Sequence, residues 1–282
     1  MPAIFTIIVN YNAGNALLDA LRSVYASQSV KFEAVVVDNA STDGSLEAAK
    51  QKFSRVHFIA SPENLGFAGG ANLGIRFALE KGADAIFLLN PDAVIEPRTL
   101  ASLAKTNEHC GRGVWSPRVL RPDGSVWFES GHIDWKRLRA VHAEAVGNTN
   151  VIDTEFVSGC AMYIDKEVFK TTGILDESFF LYYEDADFCV RAKKHGFPIR
   201  VARDISVIHH EMSEENKPRK TYWLVHSGKK FFEKHMPAHL KPWLYAFHAA
   251  RKLKSAKRLH EYPHDPIAHS VYRGLRDLPY EH

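Results

Sequence analysis

The chain has 282 residues, of which 45% are hydrophobic, with 36 Lys/Arg against 33 Asp/Glu and a formal net charge of +3. That length suits one large domain, or one domain with an appendage, and the composition permits a packed core. Three widely spaced cysteines, Cys110, Cys160 and Cys189, argue against a disulfide framework or a zinc site and for a reducing compartment, and no stretch reaches the ~18 apolar residues of a membrane-spanning helix.

The N-terminus lacks a basic leader, so Phe5–Val9 reads as a first strand rather than a signal peptide. Leu17, Leu18, Leu21, Val24 and Tyr25 then recur at helical spacing. Ala34–Val37 is a second strand, followed by a helix that Asp43 and Ser45 can start. Val56–Ala60 is a third strand, and Phe67–Leu79 a helix closed by Gly82. Ile86–Leu89 is a fourth strand, and Pro97 opens another helix at a position proline tolerates. This strand–helix alternation predicts an α/β fold with a mainly parallel central sheet flanked by helices. Ligands of such sheets lie beyond the carboxyl ends of the strands. Asn10-Tyr11-Asn12, Asp38-Asn39 and Asn90-Pro91-Asp92 are therefore expected to gather on one edge.

From Gly113 to about Asp165 short alternating runs predict a smaller, partly antiparallel region. Glu167–Thr172 reads as a short helix, Asp185–His195 as a longer one, and Ile199–Ile208 as a strand ending at His209-His210. The segment 217–260 predicts two helices broken near Pro237 and Pro242, and the last twenty residues read as irregular. Between Lys217 and His260 twelve Lys/Arg stand against one acid, Glu233; the remainder keeps 24 Lys/Arg against 32 acids, a net −8. A basic, aromatic tail on an acidic body points to an anionic partner. An amphipathic pair packed on the body explains part of it. An anionic membrane surface explains the interleaved Tyr222, Trp223, Phe231, Phe232, Trp243, Tyr245 and Phe247 as well. No nucleic-acid motif accompanies the charge.

Several residues could carry chemistry. Asp92 is either a turn residue or a hard oxygen ligand for Mg²⁺ or Mn²⁺ on a diphosphate. Asp38 sits in a turn-rich loop, yet a strand-end acid can accept from a nucleobase N–H. The stretch 64–74, NLGFAGGANLG, either admits phosphates or lets a helix pack closely through Gly69, Gly70 and Gly74. It matches neither the dinucleotide fingerprint nor the P-loop. Glu184, Asp185 and Asp187 open a helix, where the dipole favours acids, but clustered carboxylates can also raise one another's pKa toward that of a general base. His209, at a strand end, is a candidate second metal ligand. Trp115, Trp127 and Trp135 either stack on sugar rings or pack the core.

Taken in order, IIVNYN (7–12), VVVDNASTDGS (35–45), ENLGFAGGANLG (63–74), LLNPDAVI (88–95), the run 157–197 and VIHHEMS (207–213) resemble the family-two inverting glycosyltransferases of the GT-A fold, and most closely their rhamnosyltransferase-like subgroup. The resemblance covers about residues 4–213. It implies a catalytic domain over 1–213, with a nucleotide-sugar half to about 112 and an acceptor half over 113–213, and a helical extension over 214–282. It implies that Val9, Tyr11 and Asp38 hold a pyrimidine base, with Asn39 in support. Asn64, Phe67 and Asn72 would line the nucleotide and sugar-phosphate side. Asn90 and Asp92 stand where the family carries a DXD-type motif, with Asn90 replacing the first acid. Asp92 and His209 would hold Mg²⁺ or Mn²⁺. Asp185 would be the general base, with Glu184 orienting the acceptor. The implied reaction is metal-dependent transfer of L-rhamnose from dTDP-L-rhamnose to a glycan or lipid-linked saccharide in cell-surface polysaccharide synthesis. A UDP-linked sugar or a nucleotide-binding scaffold without transfer are the other readings. A nucleotidyltransferase would need a basic Gly-rich loop after the first strand, and Asn10–Gly14 is not one. The expected setting is cytoplasmic, peripheral on the inner face of the plasma membrane where the tail meets lipid.

Overall fold

The computed structural model describes residues 2–280 apart from 144–146, 148 and 212–216. One ten-stranded mixed sheet forms the centre. Strands β1 (Ala3–Asn10), β2 (Lys31–Asp38), β3 (His57–Ala60) and β4 (Ala85–Leu89) are parallel and lie in the order β4-β1-β2-β3. Helices α1 (Ala16–Tyr25), α2 (Ser45–Lys52) and α3 (Gly66–Glu80) make the crossovers. β1 and β4 are buried along nearly their whole length because helices cover both faces, so their sequences are continuous apolar runs rather than alternating ones.

After β5 (Ala93–Ile95) and α4 (Thr99–Cys110) the pattern changes as the sequence predicts. β6 (Val114–Leu120) is joined to β4 through β11 (Ala161–Asp165), which runs antiparallel to both. β12 (Ile199–His209) pairs parallel with β6 and antiparallel with β5, so the chain ends of β4 and β12 meet. β7 (Val126–Phe128) and β10 (Val151–Asp153) extend this half. A separate hairpin, β8 (Ser130–Asp134) with β9 (Arg139–Ala143), stands beside it. Helices α5 (Lys166–Thr172) and α6 (Glu184–Lys194) complete the body.

Of the two alternatives for the glycines of α3, the structure shows close packing. A Cβ at Gly74 would stand 2.6 Å from Ile7 Cγ2, and one at Gly70 would stand 2.8 Å from Val9 Cγ1. The helix thus lies directly on β1 and β2.

The tail departs from expectation in two ways. Helix α7 (Lys217–His235) is no appendage: Phe231 and Phe232 are fully buried, and Trp223 stacks on Phe180 at 4.5 Å between centroids. The expected boundary at 213/214, with Met212 and Ser213 of the last motif, lies outside the described residues. Helix α8 (Lys241–Glu261) is followed by α9 (Pro266–Gly274), where the sequence reads as irregular. Asp265 caps α9, accepting from the N–H groups of Ile267 and Ala268, and Pro266 occupies its first turn, so the prolines delimit a helix there. Among the described residues no helix is long and apolar enough to cross a membrane.

Replacing Gly74 by alanine is expected to lower stability by about 1–3 kcal/mol through overpacking against Ile7. A urea titration checks this, with a midpoint at or above that of the parent refuting the close packing of α3.

Candidate active site

The parallel register sets Asn10 beside Asp38. The buried Asn10 amide donates to Asp38 Oδ1 at 2.7 Å and to the hydroxyls of Ser45 and Ser41 at 2.9 and 3.0 Å. Asp38 Oδ2 accepts from Ser41 N–H at 3.0 Å. The carboxylate is therefore fixed at the strand edge, and each oxygen keeps a second lone pair. Asn39 donates to the Gly66 carbonyl at 2.7 Å, while its own Oδ1 is buried without a partner. Val9 is buried, whereas Tyr11 is exposed, with the Arg219 guanidinium 6.0 Å from its ring centre. Asn64 Oδ1 accepts from Gly66 N–H at 2.9 Å where α3 begins. Asn72 stands apart from this edge. It is fully buried and holds the 175–177 loop, bonding Leu175 N–H, Leu175 C=O and Glu177 Oε1 at 2.9–3.1 Å.

Next to this edge opens a cleft of about 690 Å³. Phe67, Asn90, Asp92, Glu184, Asp185 and His209 all line it, so residues spread over 140 positions of sequence converge. The Asn90-Pro91-Asp92 turn is pinned by Asn90 N–H on Cys160 C=O at 2.9 Å and by His210 N–H on Asp92 C=O at 2.9 Å. That second bond continues the β5–β12 ladder and brings His209 Nε2 within 3.1 Å of Asp92 Oδ1. His209 is 4% exposed, and its Nδ1 has no partner. An imidazole and a carboxylate so placed suit a divalent ion: 3.1 Å is close to the edge of an octahedron with ligand distances of about 2.1 Å. Among the described residues no third His, Cys, Asp or Glu joins them, so most of the shell falls to ligand oxygens and water, the habit of Mg²⁺ and Mn²⁺.

The three acids of α6 have three different environments. Asp187 is fully buried and takes charge-assisted bonds from Arg191, Lys234 and His235, each at 2.7 Å. Burial opposes its charge, but the hydrogen bonds from His235 and Lys234 and the charge of Arg191 win and hold its pKa at about 2. Glu184 is 5% exposed, and burial followed by the nearby Asp185 carboxylate pushes its pKa well up. Its Oε2 has no partner. Asp185 is also raised by burial, though less freely, since it accepts from Gly159 N–H at 3.0 Å and Ala186 N–H at 2.7 Å. Those two bonds favour the ionised form. Both carboxyls are thus held above their ordinary range, and of the two Asp185 has the backbone donors that favour its charge. Before α6 the chain passes through Tyr182 and Tyr183 with φ of 66° and 69°. Two consecutive aromatics in the left-handed region are strained, and the surrounding structure must hold them. Ser227 on α7 does so by donating to Leu181 C=O at 2.7 Å.

Of the three tryptophans only Trp127 lines the cleft; Trp115 is fully buried and Trp135 packs on Phe231 and Phe232. Trp127 packs edge-on with His209 at 4.5 Å and donates its indole N–H to Glu211 at 2.7 Å. Glu211 also meets Lys220 at 3.4 Å. Sequence reading missed Glu211 and Lys220. The signal for Glu211 is its place two residues beyond His209; for Lys220 a basic tail offered no single position.

Comparison with known proteins agrees with this geometry. The sequence model described as "Glycosyl transferase family 2" matches residues 6–173. The low-salt glycan biosynthesis hexosyltransferase Agl10 of Haloferax volcanii is 29% identical over 220 residues, 77% of this chain and 70% of its own. The dTDP-rhamnosyl transferase RfbF of Shigella flexneri is 30% identical over 206 residues, 73% of this chain and 68% of its own. The crystal structure of GalNAc-T7 with UDP, GalNAc and Mn²⁺ superposes with a TM-score of 0.71 at 14% identity, covering 99% of this chain. This chain spans 55% of that one, and the likeness establishes the GT-A fold.

Asp187→Asn is expected to cost about 3 kcal/mol at neutral pH by leaving Arg191, Lys234 and the buried His235 without their carboxylate. The folded pKa lies below the unfolded one, so the stabilisation is full above pH ~4 and is lost as pH falls toward about 2. Urea titrations at neutral pH and near pH 3 check this; an effect no smaller at the lower pH refutes the ion-pair origin.

Proposed function

The chain belongs to glycosyl transferase family 2 and is a glycosyltransferase, and from that premise we propose that it moves L-rhamnose from dTDP-L-rhamnose onto a glycan or lipid-linked saccharide, with inversion at the anomeric carbon. The observation that carries this reading is the convergence of the Asp92–His209 pair and the Asp185 carboxylate on one cleft at the carboxyl edge of the sheet. The name of the Shigella relative supports the rhamnosyl donor. UDP-linked donors are the second reading, because uracil and thymine present the same ring N3–H.

Val9 and Tyr11 flank the base, and the free lone pairs of Asp38 accept its N3–H. Asn39 supports that pocket and Asn64 shapes the turn into α3. Phe67 lines the sugar-phosphate side, facing Gly159. Asn72 acts here at one remove, through the 175–177 loop that it holds. Asp92 and His209 would hold Mg²⁺ or Mn²⁺, with Asn90 shaping the turn, and a bound ion would supply positive charge for the leaving diphosphate. The Mn²⁺ in the GalNAc-T7 structure supports this use of the site.

Asp185 takes the proton from an acceptor hydroxyl as that oxygen bonds to the anomeric carbon from the face opposite the diphosphate. The C–O bond to the diphosphate breaks in the same displacement, and the configuration inverts. Glu184, whose pKa is held well up, donates to the acceptor rather than competing as base. The partner expected of residues 217–260, an anionic membrane surface, suits a lipid-linked acceptor and belongs to the same proposal.

Asp185→Asn is expected to lower kcat by roughly 10²- to 10⁴-fold while leaving nucleotide affinity unchanged, measured by donor turnover and by calorimetry. Retained turnover removes Asp185 from the base role. Calorimetric titration of the parent chain with dTDP and UDP, with and without Mn²⁺, tests the donor. Metal-dependent binding that favours dTDP is expected. A preference for UDP overturns the rhamnosyl assignment, and binding indifferent to Mn²⁺ and to His209→Ala overturns the metal site.

A further inference from the structure

The basic tail reads in sequence as one surface, but the structure divides it. The aromatics of α7 point inward: Tyr222, Phe231 and Phe232 are buried, and Trp223 stacks on Phe180. They are spent on the body and cannot meet a second phase. Apart from Leu224 of α7 and Leu278 beyond α9, the large apolar side chains of the tail left outside belong to α8 and its neighbour. Leu253 is 72% exposed, and Trp243, Tyr245, Tyr262 and Ile267 are exposed as well.

Between α8 and α9 runs a groove of about 510 Å³. Phe247, Ile267 and Val271 give it an apolar lining, and Arg251, Lys254 and Arg258 line it as well. Arg258 is matched by Asp265 at 2.5 Å. Among the described residues Arg251, Lys252 and Lys254 have no acidic partner within ion-pair distance, and the only acid on α8 is Glu261, at its far end. An apolar slot beside unmatched cations has the chemistry of one particular occupant, an anion joined directly to hydrocarbon. A nucleotide or free phosphate would leave the apolar lining unused, and a neutral hydrophobic partner would leave the cations desolvated.

We propose that the α8–α9 groove seats the chain's contact with an anionic phospholipid bilayer, the acyl region against Phe247, Ile267 and Val271 and the headgroup phosphates on Arg251 and Lys254, with Lys252 outside the groove on the neighbouring surface of α8. This narrows the membrane partner of the proposed function and rests on that part of it.

Co-sedimentation of the full chain with phosphatidylglycerol-containing vesicles and with pure phosphatidylcholine vesicles tests the seat. Binding to the anionic vesicles alone is expected, falling away as salt rises from about 0.1 M to about 1 M and the screening length shrinks from ~10 to ~3 Å. The double variant Lys252→Glu/Lys254→Glu is expected to bind at least about tenfold more weakly, and Ile267→Asp to weaken binding too. Lys50→Glu/Lys52→Glu, the same charge change on the exposed face of α2, is expected to bind like the parent. Equal binding to both vesicle types, full binding by the Lys252/Lys254 variant, or equal loss in the Lys50/Lys52 variant each overturns the proposal. Calorimetry with dTDP, UDP and Mn²⁺ on every variant reports whether the fold is intact. In the parent chain, lipid binding without nucleotide binding would count against the donor reading and not against the seat.

Discussion

A parallel strand buried on both faces favours apolar side chains along its length, so its polar residues collect mostly where it ends. β4 and the buried part of β2 obey this constraint throughout, β1 does so apart from the buried Thr6, and the rest of the site follows from it. Asn10 and Asp38 are placed side by side by the β1–β2 register, and Asn90 and Asp92 follow β4 on the same edge. The antiparallel insertion of β11 and the β5–β12 pairing then return a distant segment to that edge. His209 reaches Asp92 because a backbone ladder, not a side-chain preference, fixes their approach.

Within the cleft, chemistry is divided by environment rather than by residue type. Asp187, Glu184 and Asp185 stand within four positions of one helix. Arg191, Lys234 and His235 surround the first, no cation among the described residues touches the second, and two backbone N–H groups meet the third. The result is a permanently charged anchor, a carboxyl that resists ionisation, and a carboxylate between them that faces the open cleft. A helix dipole alone would have treated all three alike, since all lie in the first turn. The differences come from depth and from α7.

That division also marks what sequence can reveal. The strand ends were legible because their signal is local: an apolar run stops, and polar residues follow at once. The roles within α6 were not legible, because Lys234 and His235, which claim Asp187, lie nearly fifty residues away on another helix. Asn72 shows the same limit. The family resemblance implies a place for it on the nucleotide and sugar-phosphate side, yet its amide is committed to a loop about a hundred residues further on. The three tryptophans could be sorted only once β7 was seen to border the cleft. Helix α9 was hidden by its prolines, which signal irregularity when read singly and a capped helix when Asp265 is counted with them.

The tail is therefore two objects with different physics. α7 is scaffolding for the cleft: it clamps Asp187 with Lys234 and His235, holds Leu181 through Ser227, and stacks Trp223 on Phe180, so it braces the strained 180–183 turn from which α6 starts. Its burial is what makes that strain sustainable, since a left-handed Tyr-Tyr pair persists only where neighbours fix it. α8 and α9 carry no such duty toward the sheet. α9 packs on α7, α8 buries little beyond Leu244 and Ser255, and together they leave apolar side chains and unmatched cations outside. A helix pair retaining those exposed groups, while α7 buries its large apolar side chains apart from Leu224, is under a different constraint, and by its packing α7 belongs with the body rather than with α8 and α9.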